Sequence, residues 1–317
     1  MFELHRNDPF LPPSLLECAL TSPVKYLLGL LYRLSLSLRS VSSLQDHKIT
    51  VVCIADTHNL TCAIPDGDVL IHAGDLTNTG TTAEIQTAID WISSLPHRHK
   101  VVIAGNHDTY LDPRSRLTLP KLDQNSFLNW RQLIYLQHSS ATIAVHGNRH
   151  LKIYGAPQIP ASWGPQHAFQ YGRGRDAWSD TIPKNLDILV THTPPKFHLD
   201  LFHPNMGCEW LLRECWRVKP RLHVCGHVHA GAGRQLLFWD EAQRAYERGM
   251  ARGGGGLLSE MFNPWLWVDA LTLVFYGVGG LLWTRVWGGD QRSTLLVNAA
   301  LMRVDKRLRD NVQVVVL

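Results

Sequence analysis

Several signatures that would assign the chain to a familiar class are missing from its sequence. Its six cysteines include no CxxC pair and follow no regular spacing, which argues against a zinc ribbon and against a disulfide framework. The residues after Met1 are partly charged and are not followed by the apolar core and small-residue cleavage site of a secretory signal. A reducing compartment fits best, so the sequence predicts a cytoplasmic protein, with membrane association left open.

Charge of one sign is also scarce. The 31 Lys and Arg residues exceed the 27 Asp and Glu residues by only four, and they are spread along the chain rather than gathered in runs. Specific nucleic-acid binding is therefore not indicated, although an anionic substrate is compatible. A chain of 317 residues that is 45% hydrophobic can bury a sizeable core, which favours one catalytic domain with appendages.

Long apolar runs are interrupted as well. The stretch at 26–38 contains Arg33, Ser35 and Ser37, and the uncharged stretch at 271–283 is shorter than the ~20 residues of a spanning helix. The first is interpreted as a docking helix. The second has tryptophans at both ends and predicts membrane-surface or protein contact through 264–287, with a cover over the core as the alternative.

The residue pattern divides the chain into an N-terminal extension and one domain that contains an insertion. Residues 1–45 are predicted to be an N-terminal extension, and residues 46–317 one domain. Within that domain the pattern breaks at about 240–292, where a polar helical segment leads into Gly253–Gly256 and an aromatic apolar stretch. This part is interpreted as an insertion.

Short β-branched runs in the domain predict buried strands at 49–55, 68–73, 100–104, 141–145, 151–155, 186–191, 221–225, 294–300 and 312–317. A capping box at Thr81 and Glu84 begins a helix that Pro96 ends, and a second amphipathic helix runs from Cys208 to Pro220. Strand, helix and strand in this order favour a βαβ unit. Two such halves suggest an α/β fold with two sheets packed face to face and helices outside.

Five polar clusters each follow a predicted strand. They are Asp56-Thr-His58, Gly74-Asp75, Gly105-Asn-His-Asp108, Thr191-His-Thr-Pro-Pro195 and Gly226-His-Val-His229. Loops at the carboxyl ends of strands build the active sites of α/β proteins, so these side chains are expected to converge. Carboxylate and imidazole together suit Mn, Fe, Zn or Mg ions rather than a thiolate site.

These five blocks, in this order, resemble the calcineurin-like metallophosphoesterases over roughly residues 49–237. Further similarity at 153–157, 187–195 and 220–229 resembles the subgroup of metallophosphoesterase-domain-containing proteins, which has many fungal relatives. The resemblance implies a four-layer α/β/β/α sandwich of two mixed sheets flanked by helices, and phosphodiester hydrolysis that includes nucleotide substrates.

The resemblance also implies roles for individual residues. Asp56, His58 and His229 would hold one divalent ion, Asn106, His192 and His227 would hold the other, and Asp75 would bridge them. Two such ions acidify a water for attack on phosphorus, with Mn as the leading candidate. His107 would be the general acid. Some relatives have an aspartate where this chain has Asn78, which puts the basicity of His107 in question.

Three functions follow from these patterns. The leading hypothesis is a metallophosphoesterase that hydrolyses phosphodiesters or phosphomonoesters, including those of nucleotides. The first alternative is a protein serine/threonine phosphatase, but those enzymes carry a longer Gly-Asp-x-x-Asp-Arg-Gly signature than the Gly74–Gly80 segment here. The second is a non-catalytic scaffold, stabilised by metal, that binds a nucleotide or a membrane.

Overall fold

The computed structural model describes residues 14–39, 48–146, 149–162, 167–201, 205–253, 256–303 and 305–317. These residues form two compact units. The sheet unit comprises the described residues of 48–235 and 295–317, and the helical unit comprises those of 14–39 and 236–294. The helical unit therefore contains the described residues of the predicted N-terminal extension and of the predicted insertion.

The described helices are α1 (Leu15–Thr21), α2 (Pro23–Leu38), α3 (Thr82–Ser94), α4 (Lys121–Gln124), α5 (Glu209–Val218), α6 (Glu241–Ala251), α7 (Leu257–Met261) and α8 (Pro264–Arg285). The described strands are β1 (Thr50–Ile54), β2 (Val69–Ala73), β3 (His99–Ile103), β4 (Ile134–Tyr135), β5 (Ser139–Val145), β6 (Arg149–Ala156), β7 (Ile159–Pro160), β8 (Gln170–Tyr171), β9 (Ile188–Thr191), β10 (Leu222–Cys225), β11 (Gly233–Leu237), β12 (Thr294–Asn298) and β13 (Gln313–Val316).

The strands form two mixed sheets and one short pair. The first sheet has the order β13-β1-β2-β3-β4, with β1 to β4 parallel and β13 antiparallel to β1. The second has the order β11-β12-β10-β9-β6-β5, in which β12, β10, β9 and β6 are parallel and β5 is antiparallel to β6. Strands β7 and β8 pair separately. The central strands of each sheet are parallel, so their carboxyl ends lie on the same side of that sheet. The loops that carry the polar clusters follow these strand ends.

The main core lies between the two sheets. Val51 and Ile71 of the first sheet share one buried cluster with Ile188 and Val224 of the second. On the outer face of the first sheet, Val52 and Leu70 pack in another cluster with Ile85, Ile89 and Ile92 of α3. Alternate residues of each strand therefore face opposite layers, as an extended chain requires.

Helices cover the outer faces of both sheets. Helix α3 begins where the Thr81 hydroxyl accepts a hydrogen bond from the amide of Glu84, as the capping box predicts. Helix α5 packs over the second sheet, where Cys215 Sγ lies 3.6 Å from Nδ1 of His223 on β10. The predicted four-layer α/β/β/α fold is therefore confirmed, and the main strands agree with their predicted bounds to within a few residues.

The helical unit is built around contacts of α8 with α2 and α6. The ring of Tyr32 on α2 stacks on that of Tyr246 on α6, with 4.2 Å between centroids. Asp269 on α8 is 1% exposed and forms ion pairs with Arg248 (3.2 Å) and Arg252 (2.6 Å). The uncharged stretch at 271–283 lies within α8, which falls inside the predicted contact segment 264–287. With its 22 residues, α8 is by length and composition long and apolar enough to cross a membrane, which the uncharged stretch alone is not.

Candidate metal centre

The predicted ligands lie in loops at the carboxyl ends of strands in both sheets. Asp56 follows β1, Asp75 follows β2 and Asn106 follows β3 in the first sheet, while His192 follows β9 and the pair at 227 and 229 follows β10 in the second. Because both sheets are parallel at these strands, the loops from the two halves meet at one edge of the sandwich.

The structure brings the seven residues together in two groups that share one carboxylate. One group is Asp56, His58, Asp75 and His229, and the other is Asp75, His192 and His227; within each group the ligand atoms lie within 4.8 Å of one another. Oδ1 of Asn106 lies 3.0 Å from Nε2 of His192, which places this amide in the second group. This division is the one that the family resemblance implies.

Asp75 lies between the two groups. Its Oδ1 accepts a hydrogen bond from the amide of His107 at 2.8 Å. Its Oδ2 lies 3.3 Å from Nε2 of His192 and 3.7 Å from Nε2 of His58. One carboxylate oxygen therefore faces an imidazole of each group.

Main-chain carbonyls orient two of the imidazoles. Nδ1 of His192 donates to the carbonyl of Ala73 at 2.8 Å, and Nδ1 of His58 donates to that of Thr77 at 3.2 Å. Each bond places a proton on Nδ1 and turns Nε2 toward the centre, as in histidines that bind metals.

The backbone at the centre is held in conformations that side chains rarely adopt. Asp56, Asp75 and His227 have φ values of 54°, 54° and 66°. Such residues persist only where surrounding contacts hold them, and they concentrate at functional sites. Gly105 and Gly226 approach so closely that a Cβ at either would collide with the carboxylate of Asp75 or Asp56. The main chain at these two glycines therefore lies against the carboxylates, with no room for a side chain.

Burial and charge shape the protonation of the centre. Burial lowers the pKa of His227 to about 3, so its imidazole is neutral and can donate a lone pair. Burial opposes protonation of His192 too, but the Asp75 carboxylate outweighs it and raises the pKa of His192 to about 9. Burial would raise the pKa of Asp75, yet His192 and its neighbours hold that pKa well below the ordinary value. The carboxylates therefore remain charged and attract positive charge.

His107, the predicted general acid, lies beside the centre without joining either group. Its Nδ1 donates to the main-chain carbonyl of Asn78 at 2.8 Å. The Asn78 side chain points elsewhere and donates to the carbonyl of His58 at 3.0 Å. The hydrogen-bond partner of His107 Nδ1 is thus a main-chain carbonyl, which any residue at position 78 would supply. The asparagine side chain therefore does not change this hydrogen bond.

His167 is a site residue that the sequence reasoning missed. Its Nδ1 accepts a hydrogen bond from Nδ2 of Asn106 at 2.8 Å, and its ring meets that of His107 edge-on, with 5.0 Å between centroids. Burial lowers the pKa of His167, which keeps Nδ1 available as an acceptor. His167 lies outside the five clusters, and neither its spacing nor its neighbours distinguish it in the sequence.

A cavity of about 790 Å³ opens over the centre. It is lined by His58, Asp75, Asn106, His107, His227 and His229, and its rim includes the basic side chains of Arg303 and Lys306. Ser162 and Leu201 also line the cavity. The basic rim residues come from the chain after β12 and carried no sequence signal.

Four other histidines that are close to the clusters in the sequence lie outside the two groups of candidate ligands. His72 and His223 are fully buried behind it, where each contacts a threonine hydroxyl, on Thr57 and Thr191 respectively. His146 pairs with Asp68, and His198 is buried beside Gln235. These four histidines therefore pack in the interior or, in the case of His146, lie at the surface.

Comparison with known proteins confirms the resemblance. Residues 49–231 match the calcineurin-like phosphoesterase family. Similar proteins include the probable rhamnogalacturonate lyase C of Emericella nidulans, 41% identical over 80% of this chain and 23% of that protein. Metallophosphoesterase domain-containing protein 1 of Homo sapiens is 40% identical over 57% of this chain and 61% of that protein. A UPF0046 protein of Caenorhabditis elegans is 37% identical over 59% of this chain and 71% of that protein.

The chain spans less than two thirds of the length of the first two relatives. With a match that covers more than half of its residues and the sheet order, layers and polar loops described above, the chain belongs to the calcineurin-like phosphoesterase family.

Proposed function

We propose that the chain is a metal-dependent phosphoesterase that hydrolyses phosphodiesters, with phosphomonoesters and nucleotides within its substrate class. The observation that carries the proposal is the position of Asp75, whose Oδ2 faces His192 at 3.3 Å and His58 at 3.7 Å. A carboxylate shared in this way serves two adjacent cations, and two-cation sites are typical of enzymes that cleave phosphate esters.

The donor set fits divalent ions. Two buried carboxylates, four imidazoles and one amide oxygen converge, and this mixture suits Mn, Fe, Zn or Mg, of which we propose Mn. Asp56, His58 and His229 would hold one ion, Asn106, His192 and His227 the other, and Asp75 both. Bound ions would supply an acidified water and neutralise charge on the phosphoryl oxygens.

The chain's own residues would position the ester and move a proton. Since Nδ1 of His107 is committed to the Asn78 carbonyl, its Nε2 is the atom that can give a proton to the leaving oxygen. Arg303 and Lys306 at the rim attract the negative charge of a phosphate ester. His167 holds the amide of Asn106 so that Oδ1 faces His192.

The cavity supports a substrate larger than inorganic phosphate. Its volume of about 790 Å³ lies within the roughly 300–1,000 Å³ of sites that enclose small molecules. Leu60 and Met302 add apolar wall beside the histidine rings. A nucleotide has both the anionic group and the flat apolar surface that these walls would contact.

The test compares three substrates after chelation and readdition of metal. We expect bis(p-nitrophenyl) phosphate to be hydrolysed when Mn is restored, with p-nitrophenyl phosphate slower. Preference for a phosphopeptide would favour a protein phosphatase instead. Turnover of none of the three by a folded, metal-loaded protein would favour a scaffold. Undiminished turnover in chelator would contradict the proposal.

A further inference from the structure

The exposed face of α8 is apolar along its whole length. Val268, Leu271, Phe275, Val278, Leu282 and Val286 recur at spacings of three or four residues, and all are more than a third exposed. Leu271 and Phe275, near the middle, are 70% and 73% exposed. Only 28% of an apolar 18-residue stretch of α8 is buried, whereas the core helix of a soluble protein is mostly buried.

Helices α2 and α7 extend this surface within the helical unit. Leu30 and Leu34 on α2 are 43% and 55% exposed, and Leu258 on α7 and Phe262 after it are 69% and 80% exposed. A soluble monomer seldom exposes so many large apolar side chains on adjoining helices, and such surfaces mark interaction sites.

The acidic groups of α7 and α8 are turned away from the exposed face. Glu260 and Asp269, the two acids of these helices, are each 1% exposed. Glu260 accepts hydrogen bonds from the amides of Val24 and Lys25, and Asp269 pairs with Arg248 and Arg252. The charged groups that remain exposed on α2 and α8 are Arg33 and Arg285, which suit the anionic side of a lipid headgroup layer.

Tryptophans stand at both ends of α8. Trp265 and Trp267 lie in the first turn, Trp283 lies in the last turn and Trp287 follows it; all four are at least 41% exposed. Tryptophan concentrates at the boundary between headgroups and acyl chains, because its ring is apolar and its N–H is polar. The surface therefore has the chemistry of a bilayer boundary rather than of a dry protein interface.

The position of α6 indicates how α8 is oriented relative to the bilayer. It packs along α8 on the side opposite the exposed face, through Asp269 and its two arginines. Its outward side chains include Glu241 and Arg244, which are 47% and 55% exposed. If α8 crossed the bilayer, α6 would carry these charges into the hydrocarbon, where they are strongly disfavoured. If α8 lies in the plane of the boundary, α6 stays in water.

We propose that the helical unit binds a lipid bilayer with α8 lying in the plane of the headgroup boundary and its Leu271–Phe275 face inserted into the acyl chains. Apolar burial drives this binding, and the exposed arginines contribute less. The binding surface is independent of the phosphoesterase centre and of its proposed activity.

The test uses the full chain and vesicles of phosphatidylcholine and phosphatidylserine. We expect the protein to co-sediment with the vesicles and to remain bound after a high-salt wash, because apolar contacts are not screened by salt. Replacing both Leu271 and Phe275 by Gln should weaken binding by at least about tenfold, since two exposed apolar side chains no longer enter the acyl layer. The matched control replaces Leu122 and Phe127, which are 83% and 95% exposed in the sheet unit, by Gln. It should bind like the original chain.

Several outcomes would overturn the proposal. They are failure of the original chain to sediment, release by salt, or equal loss in both double variants. Light scattering that shows a dimer, converted to monomer by Leu271→Gln with Phe275→Gln, together with no vesicle binding, would assign the surface to a second copy. Phe275→Trp tests orientation through the fluorescence that it adds to that of the original chain. Stronger quenching of this added signal by lipids brominated in the upper part of the acyl chains supports the in-plane helix, and stronger quenching by lipids brominated at the chain ends refutes it.

Discussion

Nδ1 of His107 donates a hydrogen bond to the main-chain carbonyl of Asn78, 2.8 Å away. A carbonyl can only accept, so this bond holds the imidazole with a proton on Nδ1 and leaves Nε2 as the atom that gains or loses a proton. Residue 78 therefore makes two separate hydrogen bonds. Its main-chain carbonyl accepts from His107, and its side-chain amide donates to the carbonyl of His58.

The first prediction follows from this separation. Asn78→Ala keeps the carbonyl that orients His107 and loses only the bond from Nδ2 to the carbonyl of His58. We expect the rate on esters with poor leaving groups to fall by no more than about tenfold, as for loss of one ordinary hydrogen bond. Steady-state kinetics on a phenyl ester measures it. A loss as large as that of a His107 variant would contradict the assignment of the partner.

His107→Gln tests the general-acid role. The variant should keep both metals and slow the hydrolysis of esters with poor leaving groups by roughly 10²–10⁴-fold, the range typical of general acid catalysis. Esters of an acidic phenol, whose leaving oxygen hardly needs a proton, should be affected less. Metal content by mass spectrometry and rates across a series of phenols provide the measurement. Equal slowing across the series, or loss of a metal, would refute the role.

Asp75→Asn should be the most damaging change among the proposed ligands. It replaces the carboxylate shared by the two groups with a neutral amide, and it removes the charge that raises the pKa of His192. We expect metal content to fall together with activity, while the circular dichroism spectrum stays that of the folded chain. Near-normal activity with two ions per chain would show that Asp75 is not the bridge.

His167→Ala should weaken metal binding without removing a proposed ligand. The substitution deletes the acceptor that holds Nδ2 of Asn106, so the amide is free to rotate away from His192. Loss of a partner that orients a ligand typically costs about 10–100-fold in metal affinity. Calorimetric titration with Mn gives the affinity. His167→Gln, which retains an acceptor, is the control and should recover part of the loss.

Asp269→Asn should destabilise the helical unit and leave the metal centre unchanged. The carboxylate is 1% exposed and loses its charge opposite Arg248 and Arg252. Since both arginines are partly exposed to solvent, we expect a loss of about 1–2 kcal/mol rather than that of a fully buried ion pair. Urea denaturation measures it. Asp90→Asn, which makes the same change at an exposed ion pair with Arg131, should have a smaller effect.

Much of the sheet unit could be predicted from local patterns. The buried strands β1, β2 and β3 are β-branched runs with polar residues directly after them, and the capping box of α3 lies where the sequence places it. Short strands such as β4, β7 and β8 were missed, because two-residue pairings depend on neighbouring chain rather than on a local pattern. The uncharged stretch at 271–283 is shorter than α8, because the helix also includes Asp269, whose charge is buried in ion pairs.

The sequence by itself determined the family, the order of the five polar clusters and the residues that they bring to the carboxyl ends of the strands, because alternation and strand-ending turns are local properties. Only the tertiary structure decided which atoms meet. Asp75 faces both His58 and His192, His107 contacts the carbonyl of Asn78, His167 holds Asn106, and the extension packs with the insertion in one helical unit. These contacts join residues that are 17 to more than 200 positions apart, and distances of that kind are set by the packing of sheets and helices rather than by any local pattern.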